Sequence, residues 1–286
     1  MVNEVIGPWE TEEDETPPDV QSPDIQAPSI DDAITDYFTY LTGFIPTPDQ
    51  AGMLKSIIHY DRVEASAGRQ SGKTLTASVA TMYLAYEFDV PLRILMISPQ
   101  DNQVYAYMRG FFRGEHREEF TKDLVGSKSV QNIVPLTGFQ LGDGTQVKVC
   151  GVTERDIRGF PADVVIIDEA ALVSNQSILT AMGNLSGEAS KLILLSTPVH
   201  NPLINTPGEP KFMKWLRDPD YKVFHWSSAD LPWHNKRLLD IKRKEFTPAH
   251  WASEVLGREP TDDEVSNSGD VIGEVIFTTV PVTRRR

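Results

Sequence analysis

Ala65-Ser66-Ala67-Gly68-Arg69-Gln70-Ser71-Gly72-Lys73-Thr74 decides how this chain is read. The stretch follows an extended segment, residues 62–66, and opens a segment of helical pattern, residues 75–88. A strand, a glycine-containing loop and a helix, in that order, are the context a phosphate-binding loop requires. On this reading Gly68, Arg69, Gln70, Ser71, Gly72, Lys73 and Thr74 form the nucleotide-binding loop. A loop that runs into a helix aims several backbone N–H groups at one point, and the helix dipole adds to the attraction for anions. Lys73 is placed to reach the β- and γ-phosphates, and the Thr74 hydroxyl to ligate Mg²⁺. The usual spacing puts a glycine at position 67; this chain has Ala67, with Gly68 next.

A second stretch, Ala162-Asp163-Val164-Val165-Ile166-Ile167-Asp168-Glu169-Ala170, completes the pattern. An apolar run of that length reads as a buried parallel strand. Its two acids then fall at the carboxyl edge, where open α/β sheets bind ligands. Asp168 is expected to hold Mg²⁺, and Glu169 to orient and deprotonate an attacking water. Alone, the acid pair would read as a strand cap; the phosphate loop upstream of it favours the catalytic reading.

Twelve of the 41 acids and none of the 27 Lys and Arg residues lie in residues 1–54. The net charge of −14 therefore belongs mostly to that segment, and the body is close to neutral. The low charge balance neither supports nor excludes a nucleic-acid partner. Cys150 is the only cysteine, which rules out an intrachain disulfide and suits a reducing compartment. No membrane-length apolar run and no zinc-type histidine spacing is present. A soluble cytoplasmic protein without a membrane partner is expected.

Residues 1–30 are acidic and proline-rich, and are expected to be a disordered tail. Ile34, Tyr37, Phe38 and Leu41 follow helical spacing, with Asp31 available as a cap. Gln50, in the turn before a helix at 51–59, is either a surface residue or a group that reads an adenine edge as donor and acceptor. A strand is expected at 92–98. Residues 101–120 read as a helix with Arg109, Arg113 and Arg117 on one face, either solvated or touching phosphate backbone or a subunit. Asp143-Gly144 marks a hairpin. Arg158, before the acidic strand, is either a structural ion-pair former or a finger that stabilises charge on a transferring phosphate.

A helix at 174–185 and a buried strand at 191–195 follow. That strand ends in Ser196-Thr197-Pro198, whose hydroxyls can sense a γ-phosphate or simply close the strand in a turn. A strand at 221–226 precedes a helical pair, 235–246 and 248–256, whose first member is basic (Lys236, Arg237, Lys242, Arg243, Lys244). Strands alternating with helices give an α/β class with a largely parallel sheet.

The ordered set of Gln50, the 66–74 loop, Arg158-Gly159, Val164 to Ala170 and Ser196-Thr197-Pro198 resembles the ATPase half of the large terminase subunit of tailed bacteriophages and related viruses. The resemblance covers residues 35–260. It implies an ASCE-type P-loop NTPase fold: a mainly parallel sheet flanked by helices, with a small helical lid. It implies an ATP hydrolase that uses ATP and Mg²⁺ to package double-stranded DNA. The partners it implies are the portal protein, the small terminase subunit and further copies in a ring on a procapsid, in the cytoplasm of the infected host cell. By the same resemblance Arg69 is a charge stabiliser or conformational sensor. Arg158 is a finger acting on the neighbouring subunit's ATP, and Ser196-Thr197-Pro198 is the coupling motif.

The expected organisation is a tail at 1–30, an ATPase core at 31–234, a helical lid at 235–260 and a linker at 261–286. Family members carry a second, nuclease domain. Nine residues follow Phe277, none of them acidic, so nuclease activity is not expected from this chain. The alternatives are a helicase-like remodeller, which normally needs two tandem motor folds, and a nucleotide-dependent assembly module with negligible turnover. A small-molecule kinase fits poorly with a tandem Asp-Glu.

Overall fold

The structure is a computed structural model that describes residues 30–88, 90–99, 130–134, 138–187, 190–198, 209–231 and 234–268. Its centre is a strand buried along its whole length, β6 in the numbering below, Val164–Asp168. Side chains alternate across a strand. Val164 and Ile166 therefore enter one hydrophobic core, and Val165 and Ile167 the other. Residues apolar on both faces can lie only inside a sheet covered on both sides.

Among the described residues eight strands form one sheet: β1 Arg62–Ala67, β2 Arg93–Ile97, β3 Val130–Val134, β4 Gly138–Leu141, β5 Gln146–Cys150, β6, β7 Lys191–Ser196 and β8 Lys222–Trp226. Their spatial order is β3-β4-β5-β2-β6-β7-β1-β8. The six strands from β5 to β8 in that order run parallel, and β3 and β4 are attached antiparallel. The Asp143-Gly144 hairpin forms as expected, with Phe139 opposite Val147. Strand β3 and a short helix at Lys211–Trp215 were not anticipated from the sequence.

One face of the sheet is covered by α1 Ile30–Thr42, α2 Pro48–His59 and α3 Lys73–Glu87. The spacing read from the sequence delivers Ile34, Phe38 and Leu41 of α1 to the core, beside Met53, Leu54 and Ile57 of α2. Each fully buried side chain of this kind contributes roughly 1.5–3 kcal/mol, so the sheet and these helices carry the stability. Asp31 is in the first turn of α1 and is not its cap; its carboxylate meets His59 Nε2 at 2.6 Å. Helix α2 starts earlier than expected, because Thr47 and Gln50 form a capping box and Pro48 supplies a preset φ at the first turn.

The opposite face is covered by α4 Glu154–Ile157, α5 Asn175–Met182 and α6 Lys211–Trp215. Helices α7 Lys236–Glu245, α8 Pro248–Glu254 and α9 Asp262–Ser266 end the described chain. No residue of α7 is buried. Residues 261–268 depart from the expected linker. They form α9, which is anchored by an Arg258–Glu264 ion pair at 2.7 Å and by the Ser268 hydroxyl, which accepts the Ala249 N–H at 3.0 Å. The Arg109, Arg113 and Arg117 face and the tail at 1–29 lie outside the described residues. Among those described, no helix is long and apolar enough to cross a membrane.

Candidate nucleotide-binding site

Strand β7 lies between β1 and β6, so three carboxyl ends converge. The phosphate loop leaves β1, Asp168 and Glu169 leave β6, and Ser196-Thr197-Pro198 leaves β7 between them. A cavity of about 1080 Å³ opens over them, lined by residues 69–74, Glu169, Gln50 and Glu254.

Gln70 and Gly72 both have positive φ, at 59° and 83°. This winding turns successive N–H groups inward into an anion-binding concavity. The backbone N–H groups of Gln70 to Thr74 have no acceptor among the described residues, and α3 begins with no side-chain cap. Five such donors at the positive end of a buried helix form a ready cradle for an anion.

Lys73 is buried at the base of the loop. Its Nζ donates to Thr197 Oγ1 at 2.8 Å, to the Gly68 carbonyl at 3.1 Å and to the Ala67 carbonyl at 3.4 Å. It lies 3.9 Å from Glu169 Oε1. Burial lowers its pKa, and the neighbouring Glu169 and Asp168 oppose that shift.

Thr74 donates its hydroxyl to Asp168 Oδ2 at 2.7 Å, joining the two motifs. The other oxygen, Oδ1, is buried without a partner among the described residues. Burial pushes the Asp168 carboxyl up to about 6 against the pull of the Thr74 hydrogen bond. An orphaned carboxylate oxygen beside a hydroxyl is the donor set a hard divalent cation takes, so these residues fit Mg²⁺. Glu169 has a left-handed backbone, φ 51°, that turns it out of the strand toward the cavity. The Ser196 hydroxyl donates to the Thr197 carbonyl at 3.0 Å, accepts the Ala171 N–H at 3.1 Å, and stands 3.4 Å from Glu169 Oε2. Pro198, buried, follows the two hydroxyl residues.

Two expected residues behave differently. Gln50 is no surface residue: it is 1% exposed. Both hydrogens of its amide are spoken for, with Nε2 at 3.3 Å from the Ser71 carbonyl and from Thr76 Oγ1, and its oxygen accepts the Thr47 N–H. It braces the loop against α2, which leaves no free donor for an adenine edge. Arg158 is exposed, pairs with Glu154 at 2.7 Å one helical turn back, and does not line the cavity. Within one chain its structural ion-pair role is the one formed.

Sequence reasoning missed the underside of the loop. Gly68 donates its N–H to the Trp226 carbonyl, and a Cβ on Gly68 would stand 2.3 Å from the Val255 carbonyl oxygen. The glycine belongs at 68 because a Cβ there would strike the backbone of the segment that crosses beneath the loop. A Cβ on Gly257, φ 67°, would in turn strike Gly68 N at 2.4 Å. Ser66 donates its hydroxyl to the Gly257 carbonyl at 2.6 Å, and Trp226 Nε1 donates to the Ser71 carbonyl at 3.2 Å. Arg69 is held by Glu254, through Nε to Oε2 at 2.7 Å and through its own N–H to the Glu254 carbonyl at 2.7 Å. Residues 254–257, at the end of the expected helical lid, are therefore bonded to the phosphate loop. None of these partners belongs to a local motif.

No family model and no curated protein matches this chain. Solved structures do. The large terminase ATPase domain of Thermus phage P74-26 superposes with a TM-score of 0.57 at 20% identity, over 78% of this chain and 98% of that one. The HK97 bacteriophage large terminase gives 0.55 at 15%, over 83% of this chain and 50% of that one. The large terminase of a thermophilic bacteriophage, solved with ATP-γ-S, gives 0.55 at 13%, over 74% and 52%. The chain thus spans about half the length of the latter two proteins. Its fold is the α/β P-loop fold of large terminase ATPase domains.

Proposed function

We propose that the chain is the ATPase motor domain of a viral large terminase, hydrolysing MgATP to drive double-stranded DNA into a procapsid. The observation that carries this reading is the junction of Thr74 with Asp168 at 2.7 Å beneath an unsatisfied five-donor cradle. The triphosphate rests on the N–H groups of residues 70–74, and Lys73 leaves its three oxygen partners for the β- and γ-phosphates. Thr74 and Asp168 hold Mg²⁺, which when bound neutralises phosphate charge. Glu169, positioned by Ser196, orients a water. The water oxygen attacks the γ-phosphorus, the bond to ADP breaks, and Glu169 takes the proton.

The cavity's apolar wall, Phe44, Leu238, Leu239 and Phe246, takes the base. Coupling runs along β7, since Thr197 touches Lys73 and Ser196 touches Glu169. The shared fold supports DNA, the portal protein and the small terminase subunit as partners, with a ring of copies working in the host cytoplasm. The basic helix α7 supplies charge for the phosphate backbone. Arg158, exposed and outside its own cavity, is assigned to the site of a neighbouring copy.

The test is ATP binding and turnover by three proteins. Wild type should bind and hydrolyse, Lys73→Ala should lose binding, and Glu169→Gln should bind without turnover. Hydrolysis that survives in Glu169→Gln at the wild-type rate removes the mechanism.

A further inference from the structure

Helix α7 is held from one side. Leu239 and Lys242 are half-buried toward the cavity, and the Arg243 guanidinium lies 4.8 Å from the centre of the Trp251 ring of α8. The side turned away mixes apolar and basic residues. Leu238 and Ile241 are 48% and 50% exposed. Arg237 stands four residues before Ile241 and Lys244 three after it, so these side chains are neighbours on the helix surface. Lys236, Arg237, Lys242, Arg243 and Lys244 outnumber Asp240 and Glu245. Among the described residues no carboxylate forms an ion pair with Lys236, Arg237 or Lys244. A strip of this composition fits a partner that is acidic and carries a few apolar anchors.

The chain holds such a sequence. Residues 1–29 contain eight acids and no Lys or Arg. Glu10, Glu12, Glu13, Asp14 and Glu15 form a dense run directly after Val5, Ile6 and Trp9. This segment joins α1 at Ile30, the end where Asp31 meets His59. Helix α1 has 13 residues, about 20 Å, and its far end leads to Phe44, which lines the same cavity as Leu238. The chain between Glu15 and Ile30 can extend to about 50 Å, so the acidic run reaches α7 with length to spare.

We propose that residues 5–15 dock on the Leu238–Ile241 face of α7 in the same chain, the apolar anchors on Leu238 and Ile241 and the acidic run beside Lys236, Arg237 and Lys244. The tether selects the chain's own segment over a second copy, because it sets an effective concentration in the millimolar range. The docked carboxylates take the place of nucleic-acid phosphates on α7, which makes the segment a built-in competitor for DNA. That consequence rests on the reading of α7 as a contact for the phosphate backbone; the docking itself does not.

The experiment is zero-length carbodiimide cross-linking of the dilute full chain, which joins a carboxylate to a lysine amine in contact with it. Monomer and dimer bands are separated and mapped by peptide mass. The monomer should yield links from residues 10–15 to Lys236 or Lys244. They should disappear in about 1 M salt, where screening acts within roughly 3 Å. Ile241→Ser, with its melt unchanged, should lower their yield roughly two- to fivefold, a loss that diffuse charge attraction would not show. Links scattered over all lysines without preference overturn the docking, and links confined to the dimer hand the face to a second copy. Double-stranded DNA binding is then compared between wild type and a neutral-segment variant, Glu10→Gln/Glu12→Gln/Glu13→Gln/Asp14→Asn/Glu15→Gln. The variant should bind about three- to tenfold more tightly, the gain from removing a tethered competitor. Equal affinity overturns the competitor role. Links to α7 in a chain that binds no DNA in either form overturn α7 as a DNA contact and leave the docked segment standing.

Discussion

Lys73 Nζ stands 2.8 Å from Thr197 Oγ1, so the cation of the phosphate loop rests on the strand between the two halves of the site. Thr197→Val removes that acceptor while keeping the shape. A buried charged donor that loses a partner costs about 1–3 kcal/mol. The melting temperature should drop by several degrees without nucleotide, and the deficit should narrow with saturating MgATP, because phosphate oxygens replace the lost partner. A deficit unchanged by nucleotide would show that Lys73 does not leave Thr197 for the phosphates.

On the proposed mechanism the Ser196 hydroxyl, 3.4 Å from Glu169 Oε2, turns toward the carboxylate but cannot replace it. Ser196→Ala should lower kcat roughly tenfold, the size of a weak hydrogen bond to a charged group, and leave KM for ATP nearly unchanged. Steady-state kinetics separate the two constants. A raised KM at constant kcat would move Ser196 from the chemistry to binding.

Glu64 predicts a pH dependence away from the site. It lies wholly inside β1, with neither carboxyl oxygen bonded among the described residues. Burial, aided by Asp218, pushes its carboxyl up to about 9. The fold therefore holds a proton that the unfolded chain releases above its ordinary carboxyl range. Stability from this group is complete below about 4.5 and drains away as pH rises toward 9. The slope is at most about 1.4 kcal/mol per pH unit. Glu64→Gln cannot ionise, so its urea midpoint should exceed wild type's by more at about pH 8 than at about pH 5. Parallel profiles for the two proteins would contradict this.

Arg158 should act in trans. Arg158→Ala should bind ATP normally and hydrolyse it more slowly, by a factor on the order of 10³ if it is a finger. Mixing Arg158→Ala with Glu169→Gln should restore turnover, since one neighbour supplies the arginine and the other the carboxylate. Assembled mixtures that stay inactive at every ratio would return Arg158 to its ion pair with Glu154.

Much of the fold was legible because its signals are local. The apolar run ending in Asp168-Glu169 and the Gly72-Lys73-Thr74 turn lie next to the strands that place them, and the sheet brings them together. Gln50 shows the limit. Its position was legible, but its amide is consumed by Ser71 and Thr76, which only the packed structure reveals. The clamp on the loop was illegible for a different reason. Trp226, Ser228, Glu254, Val255 and Gly257 act through carbonyls, one carboxylate and close backbone approach, and a backbone carbonyl leaves no trace in residue type. Helix α9 was missed because its capping box, Thr261 with Glu264, opens a segment too short to show a period.

The crossing of Gly68 and Gly257 also binds two distant parts of the described chain into one unit. Ser66 and Gly257, joined by a 2.6 Å hydrogen bond, are separated by 191 positions in the chain. The loop that the motif residues build is thus shaped by backbone far downstream of Pro198, and its contacts with residues 226–257 close over long stretches of chain, at a greater cost in chain entropy than the local contacts of the motif itself.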